Sequence, residues 1–192
     1  MAAASVKWSV SASQRIACGL ALAFAVLAAL VGGSAWAQPG AGVLPVPALS
    51  ARVIDQTGTL NDSQRAALEA RLAAIEAKSG SQVVVLMVPT TAPEDIAAYA
   101  NRVGNDWKIG RKDVGDGVLL IVAKNDRRVR IEVAKALEGA IPDLAARQII
   151  DQSIAPRFKA GDYASGLDEA VDRIAARIAG EGLPAPDGSA QA

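Results

Sequence analysis

The sequence predicts an α/β layered domain: a mixed, mostly buried sheet of about four strands that ends in an antiparallel hairpin. Three runs carry that expectation. QVVVLMV (residues 82–88) and GVLLIVA (residues 117–123) are apolar throughout, as strands buried on both faces are. RVRIEV (residues 128–133) alternates, with Val129, Ile131 and Val133 on one face and Arg128, Arg130 and Glu132 on the other, as at a sheet edge. The first two should pair in parallel across a helical crossover, expected to be right-handed, and the last two antiparallel.

The elements follow in chain order. Residues 52–55 (RVID) read as a short first strand closed by the turn residues QTGT. Asn61 opens a helix and Gln64, three positions on, completes a capping box. Asn61-Asp62-Ser63 also matches a glycosylation sequon, and the cap accounts for it. Leu68, Leu72 and Ile75 form the buried stripe, and Ser79-Gly80 stop the helix. Pro93 falls where a first helical turn tolerates it, and Ile96, Tyr99, Val103 and Trp107 share a face of the helix that follows. Residues 108–117 (KIGRKDVGDG) form a loop, and Asn125-Asp126 suit a two-residue hairpin turn. Two closing helices are expected at about 143–156 and 163–179. Their stripes are Ile149, Ile150 and Ile154, then Leu167, Val171, Ile174 and Ile178.

The ends are of a different kind. Lys7 and Arg15 precede an apolar run over residues 16–31, and Ala35 and Ala37 supply the small residues that a signal peptidase requires. Residues 1–37 therefore read as a secretory signal, the run being short of the roughly 20 residues that span a bilayer. An uncleaved inner-membrane anchor is the alternative. Residues 38–50 read as a flexible Pro/Gly-rich leader, 51–180 as the folded domain and 181–192 as a disordered tail. The expected location is the periplasm.

Two absences restrict the chemistry. The 192-residue chain has no histidine, and its single cysteine, Cys18, lies within the signal. Ser-His-Asp and Cys-His catalysis, ordinary zinc sites, haem ligation by His or Cys and thiol redox chemistry are thereby excluded. Lys7 and Arg15 leave with the signal while all 20 acidic residues stay, so the mature charge is about −2. That balance does not suit nucleic acid or an anionic membrane surface.

One geometric consequence concerns the acidic loop DVGDG. An antiparallel hairpin sets the start of its first strand beside the end of its second. Asp113 and Asp116 should therefore lie near AKALEGAIPD, which carries Glu138 and Asp143. Converging carboxylates repel unless a cation or basic side chains compensate. Without His or Cys, an oxygen-only site suits Ca²⁺ or Mg²⁺. The alternative is turn and cap chemistry: Asp beside Gly favours turns, Asp143 suits a helix start, and no EF-hand spacing is present.

The ordered pieces VIDQTGTL, SGSQVVVLMV, NDWKIGRKDVGDGVLLIVAKNDRRVRIEV, LEGAIPD and IAPRFKAGDYASGL resemble the TPM domain family over about residues 50–179. That family includes thylakoid lumen proteins of photosystem II repair and bacterial exported proteins of the YgcG type. The resemblance implies a three-layer α/β/α sandwich and a divalent cation held by an acidic cluster, with Asp55 added to Asp113, Asp116, Glu138 and Asp143. It also implies acid phosphatase activity, attributed to the plant members. This chain departs from the family pattern at two places: Gly115 precedes Asp116 where a second acidic residue is common, and AKALEG stands where many members read GYGLEG.

Three functional expectations stand open. One is an accessory module that binds an envelope or membrane protein, with or without a bound Ca²⁺ or Mg²⁺. The second is a metal-assisted phosphomonoesterase, with Lys112 or Arg111 steering the phosphate. The third is a cation-stabilised structural domain. No nucleotide, haem or zinc is expected in any of them.

Overall fold

The computed structural model describes residues 42–184; the signal and the tail beyond residue 184 lie outside the described residues. The elements are β1 (Val53–Asp55), α1 (Asp62–Ser79), β2 (Gln82–Val88), α2 (Ile96–Trp107), β3 (Gly117–Ala123) and β4 (Arg128–Val133). A 3-10 turn (Lys135–Leu137), α3 (Asp143–Ile149), a π-helical turn (Ile150–Ile154), α4 (Ala155–Lys159) and α5 (Tyr163–Ala179) complete the chain. The sheet order is β1-β2-β3-β4, parallel except for the β3–β4 hairpin. No helix among the described residues is long and apolar enough to cross a membrane.

Alternation within the central strands builds two cores. Val83, Val85 and Met87 join Val118, Leu120 and Val122 beneath α1, α3 and α5, where Leu72, Ile149, Leu167 and Ile174 cover them. Val84, Leu86 and Val88 join Leu119, Ile121 and Ala123 on the other face, against Ile96, Tyr99 and Val103 of α2. The result is the α/β/α sandwich expected.

The two crossovers differ in hand. β1, β2 and β3 are consecutive neighbours in one direction, yet α1 and α2 lie on opposite faces. The two crossovers therefore have opposite hands, and the right-handed rule holds at only one of them. Helices must cover both apolar faces of β2 and β3, and this arrangement covers both.

Local chemistry sets the element ends. The α1 capping box forms as expected, and Gly80 closes the helix at φ 77° with its N–H donating to the Glu76 carbonyl. Helix α2 starts later than the Pro93 reading, because the Asp95 carboxylate accepts the Ala97 N–H at 2.9 Å and caps it there. Pro93 belongs to the preceding turn, after a cis peptide. The hairpin loop spans residues 124–127 rather than two residues, and the left-handed residue is Arg127 (φ 53°). The cause is Asp126, drawn across to the β2–α2 loop. Its carboxylate accepts the Thr90 hydroxyl at 2.8 Å and the Thr91 N–H at 2.9 Å. The first closing helix runs on through the π-helical turn to Lys159.

Residues 42–50 have no regular secondary structure, but they are tied to α2 rather than loose. Leu44 and Val46 pack on its core, Arg102 donates to the Leu44 carbonyl at 2.7 Å, and the Trp107 indole donates to the Pro47 carbonyl at 2.7 Å.

Candidate functional site

The hairpin brings the acidic loop and the segment after β4 together, as its geometry requires. Ala134 donates to the Gly117 carbonyl at 2.9 Å and Ala136 to the Gly115 carbonyl at 3.2 Å. The carboxylates do not gather there. Asp116 is fully buried, and its Oδ1 accepts the Arg111 backbone N–H at 2.8 Å. Its Oδ2 accepts Arg111 Nε at 2.9 Å, Nη2 at 2.7 Å and the Ser81 hydroxyl at 3.2 Å. The Arg111 guanidinium lies over Gly80, where an added Cβ would meet its Cζ at 2.6 Å. Asp113 and Glu138 are exposed. Asp143, 91% exposed, starts α3 and lies 4.0 Å from the Arg130 guanidinium.

Asp55 stands at the other end of the sheet. It ends β1 opposite Met87, whereas Asp116 precedes β3 at the level of Gln82. Along β2 that separation is roughly 20 Å. The Asp55 carboxylate closes the turn after β1: Oδ1 accepts the Thr57 N–H at 2.8 Å and hydroxyl at 2.6 Å, and Oδ2 accepts the Leu60 N–H at 2.8 Å. Burial acts to raise its pKa, but the hydrogen bonds from Leu60, Thr57 and Thr59 together hold it below the ordinary value.

That depression predicts a pH dependence with a definite sign. A carboxylate whose folded pKa is lowered binds fewer protons folded than unfolded. Its contribution is complete above the unfolded value of about 3.9 and is lost as pH falls through the folded value. Stability should therefore decline below about pH 4, and Asp55→Asn should flatten that limb of a urea-midpoint profile.

The donors do not fit one Ca²⁺ or Mg²⁺ site. A hard cation takes six or more oxygens, whereas both Asp116 oxygens are already occupied by Arg111 and Ser81, and Asp55 is remote. Among the described residues no three of His, Cys, Asp and Glu are grouped to hold a metal ion.

A different feature stands at the carboxyl end of the sheet, where ligands of open α/β sheets commonly bind. A groove of about 520 Å³ lies between the β3–β4 loop and the π-turn–α4 segment. Half-buried Val129, Ile150 and Phe158 supply its apolar surface over the buried Val122 and Ile154, and Lys124, Arg127, Arg128 and Lys159 its cations, with Asp151 the one carboxylate in its lining. Ile150, Asp151 and Ile154 of the π-helical turn line the groove; such turns are frequent at functional sites. Phe158 and Tyr163 pack at 4.6 Å between centroids, with Lys124 Nζ 5.4 Å from the centre of the Tyr163 ring. Gly166 makes this wall possible, since a Cβ there would lie 2.8 Å from the Phe158 ring.

Arg128 pairs with Asp95 at 2.9 Å, but Lys124, Arg127 and Lys159 have no carboxylate partner among the described residues. Arg127 is also held in the left-handed region, which costs a non-glycine residue about 1–2 kcal/mol. Arg127→Gly should therefore raise stability by about 0.5–1 kcal/mol once glycine's greater unfolded-state freedom is deducted, seen as a higher urea midpoint.

Sequence reasoning missed the groove. Its signal was the motif IAPRFKAGDYASGL, whose Phe, Lys, Tyr and second Gly build one wall, opposite a turn rich in Lys and Arg. Nothing in the spacing shows that residues 124–128 and 150–163 face each other.

A family model described as TPM domain matches residues 53–177. No curated protein matches the chain. Three structures solved by NMR are similar to it. The N-terminal domain of a protein from P. gingivalis is 29% identical, covering 67% of this chain and 82% of that one, with a TM-score of 0.62. The BA42 protein of the psychrophilic Bizionia argentinensis is 21% identical over 67% of this chain and 86% of its own, with a TM-score of 0.54. The N-terminal domain of the cg2496 protein from Corynebacterium glutamicum is 13% identical over 74% and 90%, with a TM-score of 0.52. At those identities the last two are alike in fold alone.

Proposed function

The chain belongs to the TPM domain family, and from that premise we propose that it is an exported, periplasmic binding module that engages an envelope or membrane protein. The observation that carries this reading is the division of labour between the two ends of the sheet. At the amino end Asp116 is committed to Arg111 and Ser81, and at the carboxyl end Asp55 is committed to its turn. Lys124, Arg127 and Lys159 at the groove have no carboxylate partner among the described residues, and cations placed so supply affinity and orientation to a ligand. Export rests on the N-terminal signal pattern.

The test has two readouts on one preparation. The full chain is expressed in a Gram-negative host, fractionated, and its mature N-terminus determined by mass spectrometry. The periplasmic protein is then assayed for release of p-nitrophenol from p-nitrophenyl phosphate with millimolar Ca²⁺ or Mg²⁺. A mature chain starting at Gln38 that releases nothing above background is the expected result. Cytoplasmic retention would overturn the export reading. Metal-dependent turnover abolished by Asp116→Asn would replace the binding module with the phosphatase.

A further inference from the structure

We infer that the groove between the β3–β4 loop and α4 takes an acidic peptide segment of its protein partner, one apolar side chain on the groove floor and flanking carboxylates on Lys124, Arg127 and Lys159. This inference rests on the binding-module reading and names what that module holds.

Charge gives the first argument. Four cations and one carboxylate line the groove, and three of those cations have no carboxylate partner among the described residues, in a chain whose formal net charge is zero. Their concentration at one concave place attracts a negative ligand over about a Debye length, roughly 10 Å at 0.1 M salt.

Shape and lining decide between an acidic peptide and a phosphate. A phosphate needs converging N–H donors, most often at a helix N-terminus. Helix α5 does begin at the groove wall with Tyr163, but its N-terminus is already taken by Asp162, whose carboxylate accepts the Ser165 N–H at 3.1 Å. The cations are also dispersed: Lys124 rests on the Tyr163 ring, while Arg127 and Lys159 stand exposed on opposite walls. Such spacing suits several single charges along a chain better than one dianion. The accessible floor of Val129, Ile150 and Phe158 gains nothing from phosphate, whereas an apolar side chain buried there gains the hydrophobic contribution that makes an interface anchor.

The test is fluorescence anisotropy with the full chain and labelled peptides. EELFEE is the probe, EEAAEE lacks the anchor, KKLFKK reverses the charge, and inorganic phosphate is the competitor. EELFEE should bind and weaken as salt rises, EEAAEE should bind at least about tenfold more weakly, and KKLFKK should not bind. The double variant Arg127→Glu/Lys159→Glu, at two exposed positions, should lose about tenfold or more in EELFEE affinity with an unchanged melting temperature. The inference is overturned if EELFEE fails to bind at millimolar concentration, if KKLFKK binds as well, or if the double variant retains full affinity. Displacement of the peptide by micromolar phosphate would also overturn it and assign the groove to phosphate. None of these outcomes depends on phosphatase turnover or on export, so failure here leaves the broader reading to its own test.

Discussion

Replacing Asp116 with alanine should lower the unfolding free energy by about 3–5 kcal/mol, the range for removing one partner of a buried ion pair. Asp116 is fully buried and Arg111 is 20% exposed, so the variant leaves a guanidinium in a place with little water. The Arg111 backbone N–H loses its acceptor as well, and Ser81 loses the carboxylate it donates to. Guanidinium denaturation at neutral pH measures the loss. The control is calcium: a structural pair predicts the same loss with and without it. A metal ligand would instead give a small loss in chelator and a large one in Ca²⁺.

The second large effect falls on the neighbouring residue. Gly117→Ala should cost about 3 kcal/mol, at the upper end of overpacking, because the added methyl would sit 2.1 Å from the Ile109 carbonyl oxygen. Gly110, at φ 97°, faces it from the other side, where a Cβ would lie 2.4 Å from the Gly117 nitrogen. Neither contact is with a flexible side-chain tip, so the backbone itself has to move. Gly115→Ala is the comparison: at φ 72° it carries the left-handed penalty of about 1 kcal/mol but meets nothing within 4 Å. A much smaller cost at Gly117 than at Gly115 would contradict the packing argument. The DVGDG loop thus combines the buried Asp116 with one tightly packed glycine, Gly117, set against Gly110.

The strands, the two-sided core and the hairpin were legible because they depend on short periodicities. Val83, Val84 and Val85 have to face alternate sides whatever surrounds them, and Asn61 with Gln64 carries its own cap chemistry. What was not legible depends on partners distant in sequence. Asp126 reads as a turn residue until Thr90 and Thr91 are beside it, and that contact lengthens the loop and puts Arg127, rather than Asn125, in the left-handed region. Asp116 reads as a ligand candidate until Ser81, 35 residues earlier, and Arg111 occupy its oxygens. The opposite hands of the two crossovers follow from which face each helix covers, and the apolar runs of β2 and β3 are equally apolar on both.

The measurement that bears most directly on the account is amide chemical-shift mapping of the mature protein titrated with EELFEE. The account predicts shifts over residues 122–129 and 150–163, at the carboxyl end of the sheet, and none over 111–118. Shifts concentrated at 111–118 and 134–143, with the groove silent, would return the working face to the acidic loop and contradict it.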